Sequence, residues 1–206
     1  MFMTSSWKEW KLNDIIWGIG VPLIFAFVII AFPTVIGPAL RGVDPNGTLE
    51  SILVLGFPEM LLVVALPMLI GLVWNQWAGG AAGFLLGSIY SISTFQLYGL
   101  QGSQHIFLLG YIVSGMLIGY IAGALNKGSY SFKRMLVCGL VAGIVSGLFL
   151  FFTYKVPFDV LNGIQQPIDM AGDVPFVMFT TLLPRIIFGI LVPLIVKIAG
   201  PVWRSS

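Results

Sequence analysis

Glycine recurs at every fourth position in three separate apolar stretches: Gly79-Gly83-Gly87, Gly115-Gly119-Gly123 and Gly139-Gly143-Gly147. In an α-helix that spacing puts each set on one face, with no side chain to hold a neighbour away. Lipid solvates leucine as well as a neighbouring helix does, so helices in a bilayer associate through close backbone contact instead. All nine glycines are therefore expected to be helix-packing positions. The pattern predicts a membrane bundle built on tight contact, and by itself it names no activity.

The rest of the composition agrees. Apolar residues make up 58% of the chain and charged residues 9%, against roughly 25% charged in a soluble domain. A length of 206 residues holds one integral membrane domain with about six spans of roughly 20 residues each. We read spans at 15–37, 55–73, 78–94, 106–125, 135–153 and 175–199, the third being the shortest. The expected fold is thus all-α, a compact bundle of six transmembrane helices forming a single domain over residues 1–206. Pro33, Pro58, Pro67, Pro184 and Pro193 fall in or near spans, where neighbouring groups can satisfy the carbonyls they free. The first apolar run follows a polar, aromatic N-terminus and exceeds the 7–15 residues of a signal-peptide core, so it is expected to stay as a span.

Lysine and arginine set the orientation. With the N-terminus inside, the cytoplasmic side holds Lys8, Lys11, Lys127, Lys133, Arg134, Lys197 and Arg204. The outer loops hold only Arg41 and Lys155, with Arg185 inside a span. That asymmetry predicts both termini in the cytoplasm. Trp7, Trp10, Trp17, Trp74, Trp77 and Trp203 all fall near the predicted inner boundaries, as interfacial anchors do. Met68-Leu69-Ile70-Gly71 and Met116-Leu117-Ile118-Gly119 form a faint internal repeat, which in so apolar a chain also arises by chance.

Few residues can carry chemistry. Arg185 lies about ten positions into the sixth span, where an uncompensated arginine costs about 2.5–3.5 kcal/mol. It is expected to face the interior with a partner: Glu59, the acid placed within a span, or Asp169 or Asp173. A substrate site opening outward and a buried structural pair are both open readings, as is an arginine bonded to carbonyls freed by Pro184. The outer loop 94–105, TFQLYGLQGSQH, offers uncharged donors and acceptors suited to a small polar ligand. Glu59, Tyr98, Gln101, Gln104, His105 and Arg185 are accordingly the candidate substrate-binding residues. An exposed polar turn explains the loop residues equally well.

Other classes are excluded or disfavoured. His105 is the sole histidine and Cys138 the sole cysteine, so neither a metal centre nor a disulfide framework is expected. Asp159, Asp169 and Asp173 lack the alternation of a calcium loop. Asn46-Gly47-Thr48 fits a glycosylation sequon, which matters only in a host that glycosylates. No nucleophile elbow, phosphate loop, HExxH or carboxylate pair is present, so we expect no enzyme and no cofactor. A net charge of +2, thinly scattered, gives no reason to expect nucleic acid.

Spans two to six resemble the substrate-binding S components of energy-coupling factor (ECF) transporters. The resemblance rests on Leu66-Pro67-Met68-Leu69-Ile70-Gly71, a tight inner turn, then Gly79-Gly80-Ala81-Ala82-Gly83 and Gly87. It continues through Leu109-Gly110-Tyr111, Gly115-Met116-Leu117-Ile118-Gly119 and a short basic link ending Lys133-Arg134. It implies a subunit of a prokaryotic cell membrane that binds a small polar solute from outside, with energy from separate membrane subunits carrying ATPases. That family's first helix typically carries an Ala-x-x-x-Ala face for the coupling subunit, whereas here Ala26 and Ala31 are five apart. The competing expectation is a structural or assembly subunit of a larger membrane complex, without a ligand of its own.

Overall fold

A computed structural model of the chain describes residues 10–43, 53, 56–98, 105–155 and 174–204. Among them every regular element is helical. α1 starts at Leu12–Ile15, widens into a π-helical turn over Ile16–Gly20 and continues as Val21–Val43. α2 opens as a π-helical stretch, Glu59–Ala65, and closes as Leu66–Val73. α3 is Gln76–Tyr98, α4 His105–Asn126, α5 Phe132–Lys155 and α6 Val174–Arg204. These ranges lie close to the expected spans. As a helix the third is not short: α3 runs 23 residues, starting two residues early, where Asn75 caps it by accepting the Ala78 N–H at 2.8 Å, and ending four residues late.

Both π turns end two residues before a proline. Val21 N–H donates to Ile16 O and Leu66 N–H to Leu61 O, each five residues back, and Pro22 and Pro67 follow directly. In an α-helix the two rings would strike the carbonyls of Gly18 and Val63. Widening the preceding turn moves those carbonyls aside. The proline that marks α2 in the sequence thus also decides how Glu59, at the head of the π stretch, is presented.

The helices pack in two close pairs, α3 with α4 and α5 with α6, joined by α4 against α5. α2 runs between the pairs and touches α3, α4, α5 and α6. Its Val64, Met68 and Leu72 meet Ile118, Ala122, Met135, Cys138, Ala142, Val192 and Val196 in the main apolar core. α1 is more peripheral and adds Ala26 to a smaller cluster with Leu62 and Leu86.

Glycine makes both close pairs possible. A Cβ placed on Gly83 would run into the Gly115 backbone, and one on Gly119 into the Gly79 carbonyl. Gly71 of α2 joins this seam: a Cβ on Gly79 would lie 2.6 Å from its Cα. In the second pair, a Cβ on Gly139 would lie 2.5 Å from Gly189 O and one on Gly143 2.5 Å from Arg185 O. Pro193 denies Gly189 O its helical donor four residues on, so that bare carbonyl sits on the smoothest part of α5.

The outside of this arrangement is apolar. Phe27, Phe84, Phe152, Phe179 and Ile195 are each at least half exposed, a surface suited to hydrocarbon rather than water. The stretches Leu109–Asn126, Phe132–Thr153 and Met178–Ala199 are long and apolar enough to cross a membrane, and Leu12–Val28 and Glu59–Val73 are shorter apolar helices.

Candidate functional site

Arg185 sits seven residues in from Met178 in an apolar stretch of 22 residues, about 10 Å deep at the α-helical rise. Its side chain is 1% exposed. An arginine there must have its charge compensated and its N–H groups accepted. Three helices supply the acceptors. Nη2 donates to Glu59 Oε1 of α2 at 3.0 Å, Nε to Ser114 Oγ of α4 at 3.3 Å, and Nη1 to Thr181 O of α6 at 2.9 Å. Within its own helix the guanidinium takes the Thr181 carbonyl, one turn back.

The polar chain continues into the bundle. Ser114 Oγ donates to Ser146 O at 3.2 Å, and Ser146 Oγ to Gly143 O at 3.2 Å. Gly147 makes room for the arginine itself, since a Cβ there would lie 3.3 Å from Arg185 Cδ and 2.9 Å from Leu182 Cδ2. The seam of α5 and α6 and the ion pair are therefore one construction. Gly143 accommodates the arginine backbone, and Gly147 its stem.

The ion pair is asymmetric. Glu59 keeps 20% of its side chain exposed where the arginine keeps 1%. A guanidinium with its remaining edge turned to a carboxylate is suited to planar two-point recognition of an anion. Among the described residues no group of three or more His, Cys, Asp or Glu could hold a metal ion.

A second polar cluster lies at the opposite helix ends, and sequence reasoning missed it. Asp14 in the first turn of α1 is buried, with Oδ1 accepting Trp74 Nε1 at 2.6 Å and Asn75 Nδ2 at 2.8 Å. Its Oδ2 accepts the Lys11 N–H at 2.9 Å. Trp17 stacks on Trp74 with ring centroids 5.7 Å apart. These groups fasten α1 to the α2–α3 turn, so Trp74 does more than mark an interface. Nearby helix ends are tied too: Asn126 Nδ2 donates to Leu72 O at 2.8 Å, and Arg134 donates to Leu125 O through Nε and Nη2.

Of the candidate substrate-binding residues, the structure brings Glu59 and Arg185 together. Tyr98 closes α3 and His105 opens α4. Gln101 and Gln104 lie outside the described residues, as do Asn46, Asp159, Asp169 and Asp173. Ser114, Ser146 and Thr181 were not foreseen. Their signal was weak: Ser114 and Ser146 each precede a seam glycine directly, and Thr181 lies four residues before Arg185. Comparison of the chain with protein-family models, with curated proteins and with solved structures found no match.

Proposed function

We propose that the chain is a solute-binding subunit for membrane transport, similar to an ECF S component, that takes a small polar solute from outside and works with separate energising subunits. One observation carries this reading. The ion pair Glu59–Arg185 joins the start of α2 to the apolar stretch of α6, with the arginine buried and the carboxylate partly exposed. Intramembrane charges are expensive and are by default candidates for functional sites, substrate and ion pathways among them. The glycine seams suit a body that turns as a unit while a solute is bound.

In this proposal all six helices span the bilayer, with both termini cytoplasmic and the Glu59 end outside. Single cysteines introduced at Ser131 and Gln166 should then be labelled from opposite sides by a membrane-impermeant maleimide, Gln166 from the outside. Labelling of both from one side would refute this arrangement.

A structural or assembly subunit remains the second reading, favoured by a specific observation. Arg185 is bonded to Ser114, Thr181 and Glu59 within the chain, so its charge needs no ligand. Purifying the chain alone and identifying co-purified small molecules by mass spectrometry separates the two. A defined polar solute in stoichiometric amount is the expected result, and its absence from every preparation would favour the assembly role.

A further inference from the structure

Arg185 is held independently of Glu59. Nε on Ser114 and Nη1 on Thr181 O come from α4 and from α6 itself, and only Nη2 reaches the carboxylate. Glu59 contributes a single oxygen, Oε1; among the described residues Oε2 has no partner, and Nη1 and Nη2 each keep one N–H unused. Arg185 and Ser114 ride regular α-helices, whereas Glu59 is the first residue of the π stretch Glu59–Ala65. A π turn is a local register defect that concentrates at functional sites. Glu59 also keeps 20% of its side chain exposed, whereas Ser114 and Thr181 are buried. The acceptor can leave while the arginine stays in place.

We infer that Arg185 is the receptor for a carboxylate on the solute, and that Glu59 occupies it in the unliganded protein as a built-in stand-in. This rests on the solute-binding reading above. The exchange is balanced: one carboxylate leaves Nη2 as another arrives, so the guanidinium is never left uncompensated at that depth. The second oxygen of the incoming carboxylate finds the spare N–H groups, giving the two-point contact that Glu59 does not make. The chemical class is therefore a small solute bearing a carboxylate, admitted where Glu59, the more exposed partner, gives way.

The test uses the full chain in lipid nanodiscs, with melting temperature as the readout. The probe is sodium acetate against sodium chloride at equal ionic strength, and methylammonium chloride serves as the cationic control. Glu59→Gln removes a tethered competitor of high effective concentration. Acetate should therefore stabilise this variant at concentrations at least tenfold below those the parent needs. Glu59→Asp, one methylene short of the contact, should respond in the same direction and serves if Glu59→Gln does not fold. Methylammonium should shift neither. Stabilisation by methylammonium instead of acetate, or equal acetate responses in parent and variants, would overturn the inference. The released small molecules distinguish its failure from that of the transport reading. A solute without an anionic group defeats the inference and leaves transport standing, whereas no solute combined with an acetate-specific response removes transport and keeps the carboxylate receptor.

Discussion

Gly119→Leu should abolish assembly of the bundle. At this position a Cβ meets the Gly79 carbonyl on one side and lies 3.0 Å from Pro67 O on the other. Both obstacles are backbone, on α3 and α2, so no rotamer change relieves them. Overpacking a core ordinarily costs about 1–3 kcal/mol because side chains give way. Here α2, α3 and α4 would have to separate, and the loss should exceed about 3 kcal/mol, a large share of a membrane bundle's margin. Gly139→Leu should behave alike, since it would push α5 from the Gly189 carbonyl. Gly20→Leu is the matched control, because nothing lies within 4 Å of a Cβ there. Size-exclusion profiles and thermal melts in mild detergent should show the two seam variants aggregated or melted and the control within about 0.5 kcal/mol of the parent. Parent-like melting of Gly119→Leu would mean that this face does not pack.

What the sequence made legible follows from which interactions are local. A four-residue glycine period is a property of one helix, so the faces at 79–87, 115–123 and 139–147 could be read directly. Which face meets which could not, because periodicity defines a side and not a partner. Gly71 and Gly189 were therefore not read as seam positions, each standing outside a run while completing a seam. Arg185 announced itself through the cost of its charge, and Glu59 was one of three candidate partners with Asp169 and Asp173, the structure pairing it with Arg185. That pairing by itself says nothing of a solute. Ser114 and Thr181 carried no such signal, since serine and threonine are common in apolar helices and cost little there. Asp14 stands at the end of a polar N-terminus, just ahead of the first apolar run, where nothing in the sequence marks it for burial. Its burial depends on Trp74 and Asn75, some sixty residues away. The π turns were hidden for a related reason. Pro22 and Pro67 mark a disturbance, but only the packed structure decides whether a helix kinks, breaks or widens.

Arg185→Met should separate the energetic role of the ion pair from its recognition role. Methionine keeps the apolar stem that Gly147 accommodates and removes the three bonds to Glu59, Ser114 and Thr181. Breaking a buried pair from one side costs about 3–5 kcal/mol, mostly through the charge left behind. The charge left here is Glu59, which retains 20% exposure and can recover part of its hydration. A loss nearer 2–4 kcal/mol is therefore expected in thermal or denaturant melts. The double variant Arg185→Met with Glu59→Met should regain most of that loss, because replacing both partners with apolar groups removes the uncompensated charge altogether. A double variant no more stable than the single one would show that the lost stability does not lie in the pair. Solute retention then decides between the two functional readings on an equal footing of stability. If the double variant folds as well as the parent but no longer co-purifies with its solute, the pair is a recognition element. If the parent binds none, and the double variant still enters the same membrane assembly, the pair is part of the scaffold.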